Sequence, residues 1–83
     1  PDKNDISKDT AAEIALNIVS VQFDESRDDI YIFNVLCFPD REFKGEDQKI
    51  YLAEIGNIDY PVLYNVALTT KSGEIVYVKK LFN

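Results

Sequence analysis

The apolar residues recur at helical spacing in only one stretch of this chain, and the remainder is patterned as strands and turns. Within residues 8–19 they repeat three and four positions apart, and polar side chains take the other face. The apolar set is Ala11, Ala12, Ile14, Ala15, Leu16, Ile18 and Val19. One helix cannot supply the repeated crossovers that parallel strands need, so the strands are predicted to be antiparallel.

The start of the helix carries the signals of a capped N-terminus. Ser7 is a favourable N-cap, and Asp9 places a negative charge in the first turn, where the helix dipole favours it. Ile6 and Ala11 are spaced for a hydrophobic staple.

After residue 19 the period changes, because Val19, Val21 and Phe23 alternate with polar residues. We therefore expect a short strand over residues 19–23, followed by a charged turn over 24–29.

Three further strand segments follow. Residues 30–38 are rich in β-branched and aromatic types on both faces, which predicts a central strand that ends at Pro39. Residues 39–48 read as a polar loop containing Gly45, and residues 49–55 as a shorter strand. Residues 62–69 and 74–81 predict a hairpin, with Gly73 supplying a positive φ in its connection. The last strand is a candidate sheet edge.

The prediction is an α+β fold in which one N-terminal amphipathic helix packs on a four- to five-stranded, mostly antiparallel sheet. The 83 residues suffice for a single domain over 1–83, with residues 1–6 expected to fray. A chain of this size buries only about 60–65% of the surface that its unfolded form exposes. A lone cysteine allows no internal disulfide, so stability must come from packing.

The charge balance argues against a nucleic-acid partner. Nine basic and 15 acidic residues give a net charge of -6, whereas affinity for nucleic acid comes largely from phosphate neutralisation by Lys and Arg. The basic end, made of Lys71, Lys79 and Lys80, is too small for such a footprint. The acidic part favours a basic protein partner instead. No apolar run reaches the length of a membrane span.

Few residues suit catalysis or metal binding, and we expect neither an enzyme nor a cofactor. The absence of histidine removes the usual triads and histidine metal sites. Cys37 lies in an apolar strand and is predicted to be buried and inert. The four acids of the charged turn are a candidate cation site, but they lack EF-hand spacing, so a solvated turn is the simpler interpretation. These acids are Asp24, Glu25, Asp28 and Asp29. Carboxylate-based catalysis stays open only if a pocket brings acids together.

The tyrosines are the best candidates for contact with a partner, because one helix covers only one face of a sheet. The alternative is that they line the rim of a small core. The predicted partner-binding residues are Tyr31, Tyr51, Tyr64, Tyr77, Lys79 and Lys80. The two lysines would also protect the last strand from self-association.

Both ends of the chain resemble PepSY-type domains. Residues 5–16, from Asp5 through Ser7 and Ala11 to Leu16, are similar to the opening helix of that family, and residues 64–75 to its final hairpin. Thr69 or Thr70 stands where the family usually has aspartate, and residues 39–61 form an insertion. The resemblance implies a PepSY-like or cystatin-like helix on a curved sheet. It also implies an exported bacterial domain, often in lipoproteins or protease precursors, that binds or inhibits peptidases.

Three functional hypotheses follow from these observations. The first is a non-catalytic protein-binding domain that modulates or inhibits a peptidase outside the cytoplasm. The second is an accessory module of a larger exported protein, since the chain begins at Pro1 and a signal or further domain is expected to have preceded it. The third is a small acidic protein of the immunity or antitoxin type, which would bind a basic partner with strong salt dependence.

Overall fold

The computed structural model describes residues 3–82 and contains one long helix and a four-stranded antiparallel sheet. Helix α1 spans Lys8–Phe23 and is followed by a 3-10 helix over Arg27–Asp29. The strands are β1 (Tyr31–Phe43), β2 (Glu46–Gly56), β3 (Tyr64–Thr69) and β4 (Ile75–Lys80). They lie in chain order, β1-β2-β3-β4, as a meander. The predicted α+β class with one helix on an antiparallel sheet is confirmed.

Helix α1 begins where the sequence predicted and ends one turn later. The Ser7 side chain accepts a hydrogen bond from the Thr10 N–H at 3.0 Å, which confirms the cap. The predicted strand over residues 19–23 is wrong. Val19 is buried and Phe23 packs on the Tyr64 ring with the two centroids 4.8 Å apart, while Val21 is 84% exposed. Val19 and Phe23 lie one turn apart on one helix face, and the apparent alternation came from a solvent-facing valine.

The N-terminal segment is tied to the sheet and is not frayed at residues 5 and 6. The fully buried Asp5 carboxylate forms ion pairs with Lys49 and Lys71, each at 3.0 Å, and accepts a hydrogen bond from the Thr70 hydroxyl at 3.0 Å. The Ile6 N–H donates to the Thr70 carbonyl at 2.7 Å. These contacts link the chain before α1 to β2 and to the β3–β4 turn. Residues 1 and 2, also predicted to fray, lie outside the described residues.

The polar stretch 39–48 forms a hairpin and not the predicted loop. Strands β1 and β2 are joined by Lys44 and Gly45, whose φ values of 55° and 79° are both positive, as the favoured two-residue hairpin turn requires. The residues near this turn are exposed because the hairpin tip extends beyond the part of the sheet that packs against α1. The polar side chains of residues 39–48 therefore reflect exposure to solvent, and they do not indicate that a strand is absent.

Strand β1 is an edge strand, so its predicted central position is wrong. This position explains why Pro39 lies within β1, since a proline that cannot donate to the ladder is tolerated at an edge. It also corrects the prediction for Cys37, which is exposed. Cys37 pairs across the strands with the buried Tyr51, but it is not among the β1 residues that pack against the core, which are Ile32 and Val35. The predicted edge position of the last strand, β4, and the positive φ of Gly73 are confirmed.

The core lies between α1 and one face of the sheet. Small residues on α1, Ala11 and Ala15, are fully buried and allow the helix to approach the strands closely. Strands β2 and β3 supply most of the apolar side chains opposite them. Those of the two strands that are buried in this cluster are Tyr51, Ala53, Ile55, Tyr64, Val66 and Leu68. The helix therefore lies over β1, β2 and β3, and within residues 3–82 no further strand lies beside the outer edge of β1 or of β4.

Candidate functional site

The free edge of β1 is the longer of the two outer edges of the sheet. Within residues 3–82, β1 pairs with β2 on one side and with no strand on the other. Its first eight residues, 31–38, contain no charged residue. The edge of β4 differs, because that strand is six residues long and ends in Lys79 and Lys80. Long, uncharged edges are those that accept a further strand, and short or lysine-bearing edges discourage it.

The backbone of this edge is available at Val35. Its N–H donates to the Oδ1 of the preceding residue, Asn34, at 2.9 Å. The ladder of β1 and β2 also shifts register between Ile32 and Asn34, which marks a bulge at Phe33. The Asn34 side chain satisfies this N–H in the isolated domain, and an added strand would replace it with a carbonyl oxygen.

A groove of about 460 Å³ separates this edge from the helix. Its floor is apolar, formed by Ala12 and Leu16 of α1 and by Ile32 and Val35 of β1. Its rim is polar and consists of Lys8, Asp9, Glu13 and Asn34. We call these eight residues the α1/β1 groove. A strand added beside β1 would direct every second side chain toward it, because side chains alternate between the two faces of a sheet.

A second concavity, of about 570 Å³, lies at the N-terminal end of β1. We call it the acidic depression, and it is lined by Glu25, Asp28, Asp29, Tyr31, Asn57 and Ile58. The Tyr31 hydroxyl donates to the Asn57 carbonyl at 3.0 Å, which fixes the ring in the wall. Ile58 is 95% exposed beside it. The depression therefore combines three carboxylates with two accessible apolar surfaces.

The four acids predicted as a cation site are not assembled into one. Among residues 3–82, no group of three or more His, Cys, Asp or Glu side chains is arranged to hold a metal ion. Glu25 instead accepts a hydrogen bond from the buried Tyr64 hydroxyl at 2.5 Å. Burial, then the hydrogen bond and the negative charge of Glu25, raise the pKa of Tyr64 to about 12. This phenol stays protonated at neutral pH and serves to fix the 24–29 segment.

The predicted partner-binding residues are dispersed over the molecule. Tyr51 and Tyr64, predicted to contact a partner, are fully buried core residues and are not accessible to one: the Tyr51 hydroxyl donates to the Ile6 carbonyl at 2.9 Å, and Tyr64 packs under α1. Tyr31 and Tyr77 are exposed, but they lie on the two opposite edge strands. Lys79 and Lys80 are exposed on β4. Of the six, only Tyr31 borders the β1 edge.

The face of the sheet opposite α1 is also uncovered and partly apolar. Strand register places Leu36, Leu52, Ala67 and Tyr77 side by side across the four strands. The neighbouring row, from Asn34 to Lys79, is polar. The backbone groups of a sheet lie in its plane, so this face, unlike the β1 edge, offers a partner strand nothing to pair with.

Sequence reasoning missed the α1/β1 groove and therefore its floor and rim. Lys8, Glu13 and Leu16 were assigned only to the two faces of a helix, since no local pattern shows which strand lies beside it. The one usable signal was the uncharged run 31–38, which the sequence interpretation placed in the middle of the sheet.

None of the described helices is both long enough and apolar enough to cross a membrane. Comparisons with known protein families, with curated proteins and with solved structures find no match to this chain. The resemblance to PepSY-type domains therefore stays a prediction.

Proposed function

We propose that this domain is a non-catalytic protein-binding module that takes an extended segment of its partner as a fifth strand beside β1. The observation that carries the proposal is the free, uncharged edge over residues 31–38 with an apolar groove beside it. Strand addition supplies affinity through main-chain hydrogen bonds and specificity through pockets for alternate side chains. At this edge, the Val35 N–H offers a main-chain hydrogen bond, and the α1/β1 groove offers a pocket for side chains.

The partner is, in this proposal, a peptidase that acts outside the cytoplasm, and the domain modulates or inhibits it. The support is the resemblance of residues 5–16 and 64–75 to PepSY-type domains. The extended shape of the site also suits this role, because peptidases bind and present polypeptide in extended form. An accessory module of a larger exported protein would use the same edge.

Blocking the β1 edge is expected to abolish binding of extended peptides. Cys37 is exposed and is the only cysteine in the chain, so a bulky maleimide can be attached to the edge two residues beyond Val35. A display library of random twelve-residue peptides is selected on the unlabelled protein. Labelled and unlabelled proteins are then compared by titration with the enriched peptides. Labelling is expected to weaken binding by about a hundredfold or more, because an added strand depends on contiguous main-chain bonds.

The matched control moves the label to the other edge. In the double variant Cys37→Ser with Lys79→Cys, the same maleimide lies on β4, and peptide binding is expected to persist. Loss of binding only with the β4 label would assign the site to that edge. Binding that survives both labels would contradict strand addition altogether.

Peptidase modulation has its own measurement. The purified domain is added to the secreted proteins of the source organism, and casein hydrolysis is followed with time. The unlabelled domain is expected to lower the rate of hydrolysis. The domain that carries the maleimide on Cys37 is expected to leave the rate at its uninhibited value. An unchanged rate, with peptide binding intact, would leave a binding module whose partner is not a peptidase.

A further inference from the structure

We infer that the partner segment is basic at one end: a lysine or arginine next to its β1-pairing residues occupies the acidic depression. This inference rests on the proposed strand addition and specifies the chemistry of the segment that is added. The depression begins at Tyr31, the first residue of β1, and the groove continues from Ile32 to Val35. One extended chain along this edge therefore passes both concavities.

The carboxylates of the depression are not neutralised by the protein itself. Among the described residues, no basic side chain lines it. The nearest basic residue along the chain, Arg27, is directed to α1, where it donates to Asn17 Oδ1 at 2.5 Å and to Glu13 Oε2 at 3.0 Å. Within residues 3–82, neither Asp28 nor Asp29 has an ion pair or a side-chain hydrogen bond to compensate its charge. A cationic side chain of the partner supplies the missing charge.

The apolar walls favour a long basic side chain over a small cation. Tyr31 is 44% exposed and its hydroxyl is held by Asn57, so its ring offers a face for the stacking of a guanidinium or ammonium group. Ile58, almost fully exposed, can cover the methylene stem of such a side chain. A hydrated metal ion would use neither surface. This combination of contacts is that of a lysine or arginine from a protein.

The two concavities also set a spacing along the partner. Val35, in the floor of the groove, lies four residues from Tyr31, and β1 is bulged between them at Phe33, so a facing strand would cover this length with about three or four residues. A strand rises about 3.3 Å per residue. The basic residue of the partner is therefore expected about three or four positions from the apolar residue that enters the groove.

The peptides enriched on the unlabelled protein provide the test. They are expected to share an apolar residue with a lysine or arginine about three or four positions away. For a synthetic peptide of this type, replacing the basic residue by alanine is expected to weaken binding about tenfold at 0.15 M salt. The same replacement in the peptide is expected to have almost no effect on its affinity for the double variant Asp28→Asn/Asp29→Asn, because the carboxylates that recognise the basic residue are gone.

The control variant Asp40→Asn/Asp47→Asn makes the same change in net charge near the far end of the β1–β2 hairpin, and it should retain the tenfold preference. If the two double variants lost this preference for the basic residue equally, the peptide would be attracted only by the overall negative charge of the protein. That result would overturn the inference. Enriched peptides that bind the β1 edge without any basic residue would overturn it too, while leaving the proposed function standing. A library that yields no binder would overturn both.

Discussion

Replacing Gly56 by alanine is expected to lower the free energy of unfolding by about 3 kcal/mol or more. A Cβ at this position would lie 2.1 Å from the Pro61 carbonyl oxygen and 2.5 Å from that of Tyr60. Both are backbone atoms, so no side-chain rotation can relieve the contact. Gly56 ends β2 at the point where the following loop folds back over the strand.

The loop is held too firmly to move away at low cost. The Asn57 N–H donates to the Tyr60 carbonyl at 2.9 Å, and Asn57 Oδ1 accepts from the N–H groups of Asp59 and Tyr60 at 2.9 and 3.0 Å. The Leu63 N–H donates to the Ile55 carbonyl at 2.7 Å. Displacing the loop would disturb these bonds together, and it would also shift the wall of the acidic depression.

Urea denaturation of the two proteins measures this effect, with Gly45→Ala as the matched control. Gly45 has a φ of +79°, and a methyl group at its Cα would meet no atom within 4 Å. Its replacement therefore costs only backbone strain, about 1–2 kcal/mol. Gly56→Ala is expected to shift the midpoint further than Gly45→Ala. Equal shifts in the two variants would mean that the 57–63 loop yields easily.

Raising the pH through the range 10 to 12 is expected to remove about 3 kcal/mol of stability through Tyr64 alone. The side chain is 1% exposed, and burial, followed by the hydrogen bond and charge of Glu25, raises its pKa from 10.0 to about 12. The native state therefore retains a proton that the unfolded chain loses. The contribution is fully present below pH 10, and it is lost as the pH rises toward the native pKa of Tyr64.

Denaturation midpoints measured between pH 9 and 12 test this dependence, with tyrosinate absorbance as a second readout. The variant Tyr64→Phe should be less stable at neutral pH but should lose less stability over the alkaline range. Tyr77→Phe is the matched control, because that tyrosine is exposed and its replacement should leave the alkaline loss unchanged. An identical alkaline loss in all three proteins would exclude Tyr64 as its source.

Local sequence determined the elements that depend on neighbouring residues. Ser7 caps the helix that the 8–19 pattern predicts, Gly73 adopts its positive φ, and a single helix implied an antiparallel sheet. These features are decided within a few residues, where capping and side-chain period act. The sequence pattern did not predict that α1 extends to Phe23. Val21 faces solvent in the last turn, and this turn is favoured by tertiary packing that the local pattern does not show.

Tertiary structure alone decided which strand is an edge, and with it the candidate site. The run 31–38 is equally apolar whether it lies inside the sheet or along its border, so the sequence could not place Cys37 at the surface or Tyr51 in the core. The α1/β1 groove exists because α1 lies on the face formed by β1, β2 and β3 and leaves a gap beside Ile32 and Val35. The reason is physical: strand order and helix placement are set by which surfaces bury the most apolar area together, a property of the whole chain and not of any segment.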